Sequence, residues 1–271
     1  MVTTKLEGIL MEALRAPTKK VNIIAECGVN FDNLETASNM IGRAKLAGAD
    51  YVKFQLFNVS TIIDSPEYDR LRKLILSEED VKYLQAIAEN REIGFILTPM
   101  YLEAVDIAAK YSDYIKIRFK DHENQPLIDK ALETGKTILI SVPSKPIDAL
   151  LYHPRIRYLY CLPSYPPEIE DFNLEIACSC HGFSSHYPHT VCDLAYVINR
   201  FYAECFIEKH VMLATKEIGI VATYADNTKE TVATVEIAND PLDKAVSITF
   251  EELNCFVKQV KMIEKMKRLR L

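Results

Sequence analysis

The sequence predicts a (β/α)8 barrel, an α/β fold, with a β-hairpin inserted between the eighth strand and the last helix. Three observations predict it. Strand-like apolar runs alternate with amphipathic, helix-like segments, most strands roughly 20–30 residues apart, the spacing that parallel βαβ units require. The apolar runs also keep ending in ionisable or hydroxyl side chains. Ile23-Ile24-Ala25 ends in Glu26; Tyr51-Val52 leads into Lys53-Phe54-Gln55; Tyr114-Ile115 leads into Lys116; Ile138-Leu139-Ile140 ends in Ser141. Gly182-Phe183 runs into Ser184-Ser185-His186, and Phe206-Ile207 into Glu208-Lys209-His210. A lysine or glutamate inside a β-branched run is costly to bury unless paired or liganded, so the repetition places many strand ends at one polar site, as at the C-terminal face of a barrel. Finally, no glycine-rich phosphate fingerprint follows the first strand, which weighs against the alternative, a doubly wound open sheet.

The elements follow in order. Residues 1–20 form a lead-in, a small strand or hairpin under the barrel domain of 21–271. Strands are expected at 21–27, 51–57, 93–98, 114–119, 137–142, 156–162, 182–186 and 205–211. The first helix, 34–48, carries Leu34, Ala37, Met40, Ile41, Ala44 and Ala47 at helical spacing, and Gly48 is its C-cap. Ser77-Glu78-Glu79-Asp80 opens another, with serine at the cap and carboxylates in the first turn. Further helices are expected at 101–112, 125–135, 145–152, 172–180, 190–203 and 250–266. The β-rich segments 218–224 and 230–237, joined by Asp226-Asn227-Thr228-Lys229, read as the hairpin, which would cover the strand ends.

Composition narrows the function. A chain of 271 residues suits one large domain, and a formal charge of −6 argues against bulk nucleic-acid binding. The cations Lys265, Lys267, Arg268 and Arg270 suit the end of a solvated helix. No signal-peptide pattern or bilayer-long apolar run is visible, so neither membrane nor nucleic acid is an expected partner. Seven scattered cysteines point to reduced thiols in a cytoplasm. Cys178, Cys180, His181, His186, His189 and Cys192 crowd together, but their spacing matches no paired CxxC zinc site.

On residue type alone, each site candidate keeps two readings. Lys53 is an anion ligand or a lysine snorkelling from a strand end; Lys116, repeating the feature two strands later, favours the first. Glu26 is a substrate contact or a buried partner of Lys53. Ser141 and Ser184 are anion donors or ordinary strand-end hydroxyls. His210 is a metal ligand or a satisfied core histidine.

Three stretches, Ile24-Ala25-Glu26-Cys27-Gly28-Val29-Asn30, Ala47-Gly48-Ala49-Asp50-Tyr51-Val52-Lys53-Phe54-Gln55 and Ile207-Glu208-Lys209-His210, resemble the N-acetylneuraminate (sialic acid) synthase family. So do Leu97-Thr98-Pro99, Lys116-Ile117, Cys161 with Tyr165-Pro166-Pro167, Gly182-Phe183-Ser184 with His186, and Asp243 to Ser247. The resemblance runs in order over nearly the whole chain. It implies a (β/α)8 barrel, acting as a homodimer, that condenses phosphoenolpyruvate with an N-acetylhexosamine-type aldose in carbohydrate biosynthesis. It implies a divalent metal, Mn2+ or Mg2+, polarising the aldehyde. Lys53, Thr98, Lys116, Ser141 and Ser184 fall at positions that cradle the anionic substrate, with His186 on the substrate side. Glu26, Gln55, Tyr165 and Asp243 fall at sugar-side positions, and His210 at a metal-ligand position. Glu26, Glu208 and Asp121 are the implied catalytic carboxylates.

The chain departs from the family pattern in places. Members carry Asn-His after the first strand, to which the resemblance assigns the other metal ligand; here it is Asn30-Phe31, so the metal is lost or weakened unless Asp32, Cys27 or His186 stands in. Arg118-Phe119-Lys120-Asp121 replaces a stretch with an anion-binding serine and a glutamate, Ser185 replaces an aspartate, and Lys244 follows Asp243 where a histidine is usual. The resemblance implies a C-terminal antifreeze-like domain that gives an arginine to the sugar, and the sequence read to Leu271 is expected to lack it. An acceptor other than free N-acetylmannosamine, one with an anionic group near Lys244, is therefore expected. The alternatives are a non-catalytic paralogue that binds an anionic ligand, and another phosphoenolpyruvate-using or aldol-type barrel enzyme with a changed acceptor.

Overall fold

The computed structural model of the chain describes residues 20–144, 153–200, 204–214, 217–223, 229–236 and 240–269. Its centre is a closed barrel of parallel strands: β1 (Val21–Gly28), β2 (Tyr51–Leu56), β3 (Gly94–Pro99), β4 (Tyr114–Ile117), β5 (Ile138–Val142), β6 (Ile156–Tyr160), β7 (Gly182–Ser185) and β8 (Cys205–Met212). They pair in sequence order, and β1 closes on β8 with Ile24 opposite Glu208 and Glu26 opposite His210. The helices return outside the barrel, as parallel pairing demands. They are α1 (Leu34–Ala47), α2 (Glu78–Asn90), α3 (Leu102–Tyr111), α4 (Gln125–Glu133), α5 (Leu174–Ser179), α6 (Val191–Asn199) and α7 (Phe250–Leu269).

Local chemistry sets the boundaries. Asn33 caps α1 by accepting from the Thr36 amide, and Gly48 ends it at φ +90°, a backbone that a side chain would strain. Ser77 and Asp80 form a reciprocal capping box at α2. The main core lies between the outer strand faces and the helices, where Met40, Ile41, Val81, Leu84, Val105, Leu253 and Phe256 are buried. A second apolar cluster plugs the barrel itself. It consists of Ile24, Ile96, Leu139, Leu159 and Phe206, with Tyr51 and Tyr114 packed against them.

Some expectations are corrected. β4 stops at Ile117, and Phe119–Asp121 is a 3-10 turn, not more strand. The β2–α2 connection holds two unforeseen helical turns, Val59–Ile62 and Tyr68–Leu71. Each spans four residues, too short to show helical periodicity in sequence. The helix expected at 172–180 is only Leu174–Ser179, capped by Asn173. The hairpin exists as β9 (Glu217–Thr223) and β10 (Lys229–Glu236), antiparallel, with a register shift between Thr231 and Ala233. A two-residue strand, β11 (Ile248–Thr249), adds to the end of β8. The lead-in at 1–19 and the helix at 145–152 lie outside the described residues. Among the described residues no helix is long and apolar enough to cross a membrane.

Candidate active site

Side chains two residues apart on a strand share a face. The inward layer above the apolar plug is therefore Glu26, Lys53, Thr98, Lys116, Ser141, Ser184 and Glu208. These line a cavity of about 410 Å³ at the C-terminal end of the barrel, together with Gln55, Cys161, Tyr165, His186, His210 and Asp243. Of the residues expected from sequence to be catalytic, substrate-binding or metal-binding, only Asp121 is not part of the lining. It is paired with Arg118 in the 3-10 turn at the mouth, outside the lining that holds the other two expected carboxylates, Glu26 and Glu208.

The floor of the cavity is an ionic network. Lys53 Nζ lies 2.5 Å from Glu26 Oε2 and 3.7 Å from Glu208 Oε2, and donates to Thr98 Oγ1 at 3.0 Å. Lys116 Nζ lies 3.8 Å from Glu208 Oε1 and donates to Ser141 Oγ at 2.7 Å and to the Ile117 carbonyl at 3.0 Å. Ser184 donates to Glu208 Oε1 at 2.8 Å, and Gln55 Nε2 to Glu26 Oε1 at 2.8 Å. All four charged groups are buried. Burial pulls Lys116 below the ordinary lysine value, and Glu208 offsets this only in part. Burial acts on Lys53 too, but Glu208 and Glu26 together outweigh it and raise it. Burial would raise Glu208, yet Lys116 and Lys53 prevail and hold it at about 2.

Above this floor sit two imidazoles. The rings of His186 and His210 have centroids 5.3 Å apart, and Tyr165 stands edge-on to both. Burial, then the neighbouring His210, pushes His186 down to about 3, so it is neutral at ordinary pH. Burial would also lower His210, but Asp243, with Oδ2 3.3 Å from His210 Nδ1, raises it overall. Gly28, at φ +48°, lets the chain turn beneath them. A Cβ there would stand 2.9 Å from Glu26 Oε1 and 3.0 Å from Asp243 Oδ2.

Phe31 is buried edge-on against Phe54, with ring centroids 5.8 Å apart, and lines a separate hollow with Asp32, Arg70 and Lys73. Position 31 is therefore not a cavity position in this chain. Of the groups named to stand in for it, Cys27 is buried outside the cavity and Asp32 lies in the other hollow. His186 alone of the three faces His210. Lys244 is exposed and does not line the cavity. The cations at the mouth are Arg118 and Lys120 instead.

Sequence reasoning gave no role to Cys161 or Asn30. Cys161 Sγ lies 3.8 Å from His186 Nδ1, and burial pushes its thiol up to about 12. Asn30 donates to the Val211 carbonyl and Ser247 Oγ and accepts from the Asp243 amide, joining the β1 loop to the segment that carries Asp243. Its partners lie 181–217 positions away in sequence, so no local pattern could have flagged it.

Comparison with known proteins completes the picture. An uncharacterised protein of Methanocaldococcus jannaschii is 29% identical over 261 residues, 90% of this chain and 71% of that protein. The N,N'-diacetyllegionaminic acid synthase of Campylobacter jejuni is 29% identical over 231 residues, 72% of this chain and 68% of its own length. The human N-acetylneuraminate-9-phosphate synthase is 28% identical over 179 residues, of which this chain spans half the length (50%). Among solved structures, the N-acetylneuraminic acid synthetase of Leptospira borgpetersenii superposes with a TM-score of 0.74 at 21% identity, over 92% of this chain and 85% of that one, a likeness of fold. Residues 40–269 match the NeuB family, and the chain belongs to that family.

Proposed function

We propose that this chain is a sialic-acid-synthase-like enzyme that condenses phosphoenolpyruvate with an N-acetylhexosamine-type aldose. The observation that carries the reading is the pair of buried lysines, Lys53 and Lys116, set among Thr98, Ser141 and Ser184 on the floor of the cavity. Fixed cations with hydroxyl donors suit a substrate that carries both a phosphate and a carboxylate. Glu26, Gln55, Asp243 and Tyr165 are the hydrogen-bonding groups left for sugar hydroxyls.

Charge balance refines this. Four cationic side chains, Lys53, Lys116, Arg118 and Lys120, share the lining with three carboxylates, Glu26, Glu208 and Asp243, and Arg118 already has Asp121. A strongly anionic substrate thus needs further positive charge. Two imidazoles 5.3 Å apart, one of them kept neutral, fit a divalent metal. Among the described residues no three His, Cys, Asp or Glu side chains converge as a ready cage. His186 and His210 would hold the ion, with remaining ligands from water or substrate, and nitrogen ligands favour Mn2+ over Mg2+. When bound, the metal supplies Lewis-acid polarisation of the aldehyde.

The chain's own residues then act in order. Substrate oxygens replace Glu26 and Glu208 as partners of Lys53 and Lys116. The enol C3 attacks the aldehyde carbon while Glu26 and Gln55 hold the acceptor. Positive charge develops at C2, water adds there, and phosphate leaves. Glu208 is a poor base while both lysines face it; once they turn to the substrate its proton affinity rises, and it can orient and deprotonate the water. The test is phosphate release from phosphoenolpyruvate with Mn2+ and a panel of aldoses, with mass analysis of the product. Release driven by an N-acetylhexosamine, giving an acid enlarged by the pyruvate unit, is the expected result. Tight phosphoenolpyruvate binding with no release on any aldose would leave the non-catalytic reading in its place.

A further inference from the structure

Lys209 is the charged residue of β8 that the site does not use. Its neighbours Glu208 and His210 line the cavity, whereas Lys209 is absent from the lining and completely buried on the other side of the barrel wall. Its ammonium is saturated. It donates to Ser185 Oγ at 2.9 Å, to the Tyr187 carbonyl at 2.7 Å and to the His189 carbonyl at 2.6 Å, and pairs with Asp193 Oδ2 at 3.1 Å. Ser185 also donates to Asp193 at 3.2 Å. Asp193, in the first turn of α6, is itself fully buried.

The partners share one feature. Ser185 and Tyr187 are the residues on either side of His186, and His189 continues the same loop into α6. One side chain, covalently next to His210, thus grips both flanks of His186. A buried lysine that holds two backbone carbonyls is expensive to desolvate, and burial pulls it below the ordinary lysine value despite Asp193. A plain apolar contact would seal α6 against β8 at lower cost. What the ammonium adds is direction: it ties the loop at fixed points around the imidazole.

We propose that Lys209, with Asp193, is a positioning pair that sets His186 opposite His210 from outside the barrel wall. This is the outer support that ligating histidines need to keep their orientation. It rests on the proposed use of the two imidazoles for its metal readout, but the loop readout is independent of that use.

The experiment compares the full-length chain with the double variant Lys209→Met/Asp193→Leu, which removes both buried charges together, and with Asp193→Asn, which keeps the lysine. Folding is checked by circular dichroism and a cooperative melt. In metal-free protein, the amides of His186, Tyr187, His189 and Thr190 should exchange about tenfold or more faster in the double variant, with the barrel strands unchanged. Co2+ affinity, read from its visible spectrum, should fall by about 10–100-fold with altered band positions. Metal-free phosphoenolpyruvate binding should stay as in the parent, because Lys53 and Lys116 are untouched. Asp193→Asn should show the same changes at smaller size, and it decides the matter if the double variant does not fold. Unchanged exchange at 186–190 in a folded variant overturns the proposal, because a purely structural pair would leave the loop as it was. A parent chain that takes up no Co2+ would count against the metal in the proposed function, while the exchange result would still decide the role of Lys209.

Discussion

Two layers of the same barrel interior do opposite work. The lower layer is apolar: Ile24, Ile96, Leu139, Leu159 and Phe206, with Tyr51 and Tyr114. Two residues further along each strand, about 6.6 Å higher, stand Glu26, Thr98, Ser141, Cys161, Glu208, Lys53 and Lys116. On the proposed function the upper layer would hold the chemistry, and the lower one would make it effective. An apolar plug beneath the lysines keeps water from reaching them from below. Their pairing with Glu26 and Glu208 therefore acts through a medium of low polarity, where charge interactions are strong and unpaired charges costly. Neither layer would function alone: a polar lower layer would flood the network, and an apolar upper layer would have nothing to bind.

The comparison breaks most readily at the upper layer. Lys53→Met and Lys116→Met should each weaken phosphoenolpyruvate binding by about 2–5 kcal/mol, the range for removing one partner of a buried charge pair. Isothermal calorimetry checks this, and unchanged binding in both variants would refute the anion site. Lys116→Met/Glu208→Gln should restore much of the lost fold stability without restoring binding, because the stranded carboxylate is removed but the cation is not.

Acid should strip stability from the upper layer and from the imidazoles above it. Glu208 is held at about 2, below the usual carboxylate value, so its contribution is complete above the ordinary glutamate range and fades as pH falls towards 2. His186, held at about 3, resists a proton that the unfolded chain accepts near 6.5. Between roughly pH 6.5 and 3 the unfolded state therefore binds more protons, and stability falls as pH falls. Denaturant titrations should show a loss on the order of 2–3 kcal/mol on acidification. His186→Asn should flatten the upper part of that curve and Glu208→Gln the lower part.

The lower layer gives a smaller and separable effect. Ile96→Val removes one methylene from the plug and should cost about 0.5–1.5 kcal/mol of stability, read as a shifted denaturation midpoint. Its phosphoenolpyruvate affinity should match the parent's. A loss of affinity would mean that the plug shapes the site directly and that the two layers are not separable.

Much of this was legible in the sequence because a barrel strand writes both layers into one short run. Ile24 followed by Glu26 and Phe206 followed by Glu208 show the period of two and the change of polarity together, which is why the strand ends could be placed before the fold was known. What was not legible depends on contacts between distant segments. The position of Phe31 beside Phe54, outside the cavity, rests on how the β1 loop packs, and no local pattern records it. The meeting of His186 with His210, and of Lys209 with Asp193, likewise needs β7, β8 and α6 brought side by side. The fourth strand was read two residues too far, to 119 instead of Ile117, because Ile117, Arg118 and Phe119 alternate as a strand's residues do, whereas Phe119 opens a 3-10 turn.

That turn supplies the smallest test. The carboxyl of Asp121 was expected to act in the chemistry, but it is bound to Arg118 at the mouth, and the pair is partly open to solvent, with side-chain exposures of 14% and 33%. A partly solvated ion pair of this kind is worth about 0.2–1 kcal/mol. Asp121→Asn keeps the shape and removes the charge. If Asp121 only steadies Arg118, stability should change within that range and turnover should remain close to the parent's. The affinity for phosphoenolpyruvate should hold or rise slightly, because Arg118 loses its competing anion. If Asp121 instead reaches the reacting atoms, turnover should collapse by orders of magnitude while substrate affinity hardly changes. Steady-state kinetics on this one variant distinguishes the two outcomes, and so decides whether the catalytic carboxylates all belong to the buried upper layer or whether the rim supplies one as well.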